Sequence, residues 1–196
     1  MLKQVQHDDQ IIAAPPKSQR GVDVRGLFAL NPPMPVTLAE SPRVAADVVR
    51  GVTRLLHRSD VASLAEVSLG CNRRADIMGI DAAGRLTIVE VKVSLADLRG
   101  DRKWPDYLGY CDRFFWAVPA GFDLAPFAHA DLAPGITGLI IADRYDAEEV
   151  RAAPWHPTGT PMSPARRKSE TLAFARRAAA RVMFGADPEA AGLFRD

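Results

Sequence analysis

One eight-residue run, Leu86–Val93 (LTIVEVKV), constrains this chain more than any other part of it. Six of its residues are apolar or β-branched, the composition of a strand buried on both faces near the middle of a sheet. A charge in such a strand is costly unless it is paired, so the two that occur here are informative. Side chains alternate along a strand, which puts Glu90 and Lys92 on one face and Val89, Val91 and Val93 on the other. Ala75 to Ile80 is a second strand candidate, joined to the strand Arg85 to Val93 by the hairpin-like turn Asp81-Ala82-Ala83-Gly84. A hairpin centred near residue 83 brings Asp76 close to Glu90, so Asp76, Glu90 and Lys92 can meet.

Two neighbouring carboxylates repel each other unless a cation lies between them. Oxygen ligands on a strand suit Mg2+ or Mn2+, hard ions that keep waters for chemistry. A lysine in the same pocket can orient an attacking water and stabilise negative charge developing on a phosphate, a combination suited to phosphodiester hydrolysis. The spacing alone is a weak signal, because a buried Glu90–Lys92 salt bridge would produce it too. The hairpin, a basic helix after it and Glu66 on the preceding strand, Leu64 to Leu69, strengthen the catalytic reading.

Around this centre the chain is expected to divide into an extended arm over 1–40, a folded domain over 41–185 and a tail over 186–196. Pro15, Pro16, Pro32, Pro33 and Pro35 block regular elements in the arm. Ser41-Pro42 reads as the start of a helix whose Ala45, Val48, Val49, Val52, Leu55 and Leu56 face inward, with Arg50 and Arg54 on its other side. Leu95 to Cys111 returns to helix, kinked or split at Pro105. Phe114 to Val118 and Gly138 to Ala142 read as strands, with a turn at Arg144 to Asp146. In the helix Ser163 to Phe184, Leu172, Ala175, Ala179, Val182 and Met183 are expected inside. Its six basic residues, Arg166, Arg167 and Lys168 among them, stand against one acid, Glu170. Trp104, Phe114, Phe115 and Trp116 are expected in the core. Arg73 and Arg74, in the turn before Asp76, are candidate phosphate contacts together with Arg50, Arg54, Arg166, Arg167 and Lys168.

At 196 residues and 47% hydrophobic, the chain can bury a sizeable core. Cys71 and Cys111 exclude a disulfide framework or a paired-cysteine zinc site. No apolar run is long enough to span a bilayer and the first residues are unlike a signal peptide, so a cytoplasmic location without membrane contact is expected. The net charge of +1 hides clustered basic stripes.

The order helix, strand, strand with Asp76, hairpin, strand with Glu90-x-Lys92, helix, strand resembles the core of the PD-(D/E)XK nuclease superfamily. Ala75-Asp76 stands where that motif has proline-aspartate. RRADIMGID, LTIVEVKVS, DLRGDRKWPDY, CDRFFWAVP, GLIIAD and ARRKS are similar, more narrowly, to the MmcB-like bacterial DNA repair family, over roughly residues 43 to 183. The resemblance implies an α/β, restriction-endonuclease-like core with a mixed central sheet flanked by helices. It implies Asp76, Glu90 and Lys92 as catalytic residues, Mg2+ or Mn2+ as cofactor, and DNA and other repair proteins as partners. Glu66 matches the family's additional acidic position beside the metal ligands Asp76 and Glu90, with Asp47 a second claimant. Lys103, Asp106 and Tyr107 fall where related nucleases place polar residues facing the site.

Two readings therefore compete: a metal-dependent nuclease in DNA repair, and an adaptor that keeps the nuclease fold and binds DNA with little turnover. A third, an unrelated α/β protein with a structural ion pair, would lack affinity for Mn2+. Oligomeric state is open from the sequence.

Overall fold

The computed structural model describes residues 41–189, so the expectations for the arm 1–40 and for most of the tail lie outside the described residues. Apolar residues at helical spacing build helix α1 (Ser41–Arg58), whose Val48, Val52 and Leu56 are buried while Ala45, Val49 and Leu55 flank them half-buried. Then follow strands β1 (Val61–Ser68), β2 (Arg74–Asp81) and β3 (Leu86–Val91), short helix α2 (Leu95–Gly100), β4 (Arg113–Pro119), β5 (Gly138–Ala142), β6 (Ala147–Arg151) and helix α3 (Pro164–Ala186). The six strands form one sheet in chain order, β1 to β6. The pairs β3–β4 and β4–β5 are parallel and the other three antiparallel. A mixed six-stranded sheet flanked by helices is thus the architecture.

Alternation along the buried strands feeds two cores. Ile77, Val89, Val91, Phe115 and Ile140 face α1. Met78, Leu86, Ile88, Phe114, Trp116 and Val118 face the opposite side, where Trp104, Tyr107, Phe127 and Phe174 cover them. Trp104, Phe114 and Trp116 pack edge to face and tilted at 5.1–5.7 Å, the preferred geometry of aromatic pairs. α1 approaches the β5–β6 turn so closely at Gly51 that a Cβ there would strike the carbonyl oxygens of Asp143 and Asp146.

Several local expectations are corrected. β1 begins at Val61, three residues before the expected Leu64. The expected break in Leu95–Cys111 is present but falls before Pro105: α2 ends at Gly100, and after Asp101 to Lys103 a 3-10 helix runs over Trp104–Tyr110 with Pro105 in its first turn. β6 (AEEVR) follows the expected turn at Arg144–Asp146 as an edge strand. In α3, Leu172 and Val182 are 54% and 75% exposed, while Glu170 and Phe174 are the buried residues. A long-range ion pair sets that rotation, as described below.

Candidate active site

The register of the β2–β3 hairpin pairs Ile77 with Val89, which sets Asp76 opposite Glu90 at the next position. Backbone pairing stops there and side chains continue the ladder. The Asp76 N–H donates to Oε1 of Glu90 at 3.2 Å, and the Val91 N–H donates to Oδ2 of Asp76 at 2.7 Å. Each carboxylate is thereby oriented by backbone of the facing strand. Glu90 and Lys92 lie on the face shared with Trp116, where both are buried and the Lys92 ammonium stands 5.7 Å from the indole centroid.

The electrostatics are those of two acids sharing a desolvated place. Burial, then the Asp76 charge, push Glu90 up to about 8, and burial also raises Asp76. Such a pair gains from a cation between its carboxylates. Lys92 supplies one positive charge, 3.7 Å from Oε2 of Glu90. It is not centred on the acid pair, however: its shortest ion pair is with Asp101 at 2.7 Å, and Asp97 lies at 3.9 Å. Burial opposes the Lys92 charge, but the hydrogen bond to Asp101 and the surrounding carboxylates outweigh it and hold the ammonium above its usual range.

The remaining expected site residues divide. Glu66 falls opposite Asp76 between the pairs Ala65–Ile77 and Val67–Ala75, but its backbone takes φ 53° and its carboxylate meets Nε of Arg74 at 2.5 Å. The three-acid set Asp76, Glu90 and Glu66 is therefore not gathered: among the described residues no group of three His, Cys, Asp or Glu side chains is arranged to hold an ion. Two carboxylates still fit a hard ion, since Mg2+ commonly binds through one or two carboxylates and completes its shell with water. Asp47 lies on the α1 side of the sheet, lining a cavity with Val44, Val93 and Tyr145. Tyr107 does reach the site's edge: its hydroxyl donates to the Arg74 carbonyl at 3.1 Å, and burial with the charges of Glu90, Asp101 and Asp76 drives its pKa up. Asp106 instead pairs with Arg73 at 2.8 Å, and the Lys103 side chain is exposed.

The basic residues divide similarly. Arg167 grips Asp112 with both guanidinium nitrogens, at 2.7 and 2.6 Å, and donates to the Gly84 carbonyl. The guanidinium expected to contact phosphate is thus engaged within the protein. Arg54 donates to the carbonyls of Arg144 and Tyr145, and Arg58 pairs with Asp146, so much of the α1 stripe holds the β5–β6 turn. Arg50 and Lys168 are exposed, and Arg166 stacks over Tyr110 at 4.4 Å.

The family model of DNA repair proteins described as MmcB-like matches residues 32–189. The chain belongs to the MmcB-like DNA repair protein family. A solved structure described as a protein of unknown function from Silicibacter pomeroyi is similar at 40% identity and TM-score 0.67, covering 77% of this chain and 97% of that one. No curated protein matches the chain.

Sequence reasoning missed two residues of this MmcB-like site, Asp97 and Asp101, although both lie in the block DLRGDRKWPDY. The available signal was two acids four residues apart immediately after the strand that carries the lysine. It also missed Asp112, fully buried, which accepts the Leu86 N–H at 2.7 Å as well as Arg167.

Proposed function

We propose that this MmcB-like chain is a DNA repair nuclease with a PD-(D/E)XK, restriction-endonuclease-like core, acting in the cytoplasm. It hydrolyses phosphodiester bonds in DNA with Mg2+ or Mn2+. One observation carries the reading: the half-buried carboxylate of Asp76 and the buried one of Glu90 are held at facing strand positions with their protonation equilibria raised, and a buried ammonium stands 3.7 Å from Glu90. A structural ion pair would need one acid; the second serves a cation. Asp76 and Glu90 would hold the ion, which when bound supplies Lewis acidity toward a phosphate oxygen and a water of lowered pKa. Each carboxylate is pre-oriented by its backbone N–H donor, so little reorganisation accompanies loading. The Lys92 ammonium stabilises negative charge that develops on the phosphate.

Incubation of the full chain with labelled single-stranded, duplex, nicked and branched DNA, with Mg2+ or Mn2+, tests this. Lys92→Ala should lower the cleavage rate by about 10²–10³-fold while leaving Mn2+ affinity intact. The second reading, a DNA-binding adaptor in a repair complex with little turnover, is favoured by Glu66, whose pairing with Arg74 leaves the acid set at two. Binding of DNA and Mn2+ without cutting of any form establishes the adaptor in place of the enzyme.

A further inference from the structure

Lys92 is fixed by a residue outside the hairpin that carries it. Oδ2 of Asp101 takes the ammonium at 2.7 Å, while Oδ1 accepts the backbone N–H groups of Lys103 and Trp104 at 3.0 and 3.1 Å. The two oxygens have separate tasks: one locks the aspartate to the turn, and the other presents a fixed charge to the lysine. Both side chains are shielded, 7% exposed for Lys92 and 12% for Asp101, so this charge-assisted bond is little weakened by water. The same segment then reaches the other strand of the hairpin. Asp106 pairs with Arg73, and the Tyr107 hydroxyl donates to the carbonyl of Arg74, two residues before Asp76.

We propose that Asp101 is the positioning residue of Lys92, and that the run Asp101–Tyr110 acts as one brace setting the lysine against the Asp76–Glu90 pair. A lysine side chain has four rotatable bonds, and Glu90 and Asp97 alone, at 3.7 and 3.9 Å, are too distant to hydrogen-bond it. The placement of Lys92 stands on geometry alone; its catalytic consequence rests on the nuclease reading.

Asp101→Asn separates the two tasks of the aspartate, because the asparagine oxygen still accepts the two backbone N–H groups while the amide offers Lys92 no charge. The first readout needs no activity. The chain has five lysines, at 3, 17, 92, 103 and 168, and acetylation by a water-soluble succinimidyl ester with peptide mapping follows each. In full-length Asp101→Asn, Lys92 should acetylate at least fivefold faster relative to the other four, and Asp101→Glu, which restores the charge, should return most of the protection. In the nuclease assay, Asp101→Asn should lower kcat at least tenfold with KM within twofold. Unchanged Lys92 labelling in a folded Asp101→Asn overturns the proposal. Should that variant fail to fold, 15N-lysine-labelled wild type decides: slow solvent exchange of the Lys92 ammonium protons supports the pairing, and exchange as fast as that of the other lysines overturns it. Faster Lys92 labelling in Asp101→Asn, with wild type cutting no DNA, supports the positioning and rejects the nuclease instead.

Discussion

Burial and the Asp76 charge push Glu90 up to about 8 from an ordinary 4.5, so the folded metal-free chain keeps a proton that the unfolded chain gives up. The resulting stabilisation is fully present below pH 4.5 and is lost as pH rises toward about 8. Urea denaturation in EDTA should therefore show stability falling across that window, by on the order of a few kcal/mol, with Glu90→Gln flattening the slope. Saturating Mn2+ should reverse the trend, because the ion binds the ionised pair. Asp76→Asn, which keeps an acceptor for the Val91 N–H, should lower Mn2+ affinity at least about tenfold and raise metal-free stability by about 1 kcal/mol, by removing one of two opposed charges. Unchanged Mn2+ affinity by calorimetry would mean that the ion sits elsewhere. The placement of Asp76, Glu90 and Lys92 was legible because strand alternation and a tight hairpin are local rules. Asp101 was not, since an aspartate closing a six-residue helix reads as a turn former, and only the fold reveals the lysine above it.

The start of helix α3 is anchored by a contact distant in sequence. Asp112 is 0% exposed, and Arg167 satisfies both of its oxygens while the Leu86 N–H adds a third bond. Burial alone would raise Asp112, but Arg167 and the Leu86 N–H hold it below the ordinary carboxylate range. Its contribution is present above the unfolded value near 3.8 and is lost as pH falls through the depressed folded value. Arg167→Ala should cost about 3–5 kcal/mol by stranding a buried charge, whereas Lys168→Glu, at an exposed position, should stay within about 0.5 kcal/mol. Thermal melts of the two variants distinguish a structural arginine from a surface one. This pair also explains the misassigned inner face of α3. Turning Arg167 toward Asp112 carries Glu170 and Phe174 inward one and two turns later, and Leu172 outward. No pattern within the helix encodes a partner 55 residues away. β6 was illegible for a different reason: AEEVR is an edge strand with exposed Glu148 and Glu149, and charge there is normal protection of an edge.

At the scale of the molecule, the near-zero net charge conceals two basic helices on opposite faces of the sheet. Glu90 and Lys92 are on the sheet face opposite α1, so on the nuclease reading DNA approaching from that face would meet the basic residues of α3 rather than Arg50 of α1. Charge reversal at Lys168 should weaken duplex binding and reduce the slope of log affinity against log salt by about 1, while Arg50→Glu should leave both unchanged. Fluorescence anisotropy over a salt series reads both quantities, and the opposite ranking would place the duplex on the α1 face. The sheet order β1 to β6 has a kinetic consequence. Every strand pairs with the one made just before it, so the sheet can grow at a single advancing edge as the chain leaves the ribosome, with no strand waiting to be inserted between two others. The hairpin bearing Asp76 and Glu90 belongs to the early, sequence-local part of that growth. Arg181 of α3 closes back on the carbonyls of Ala65 and Glu66 in β1, tying the last helix to the first strand. Pulse-labelled hydrogen exchange during refolding should accordingly find β2 and β3 protected before β5 and β6.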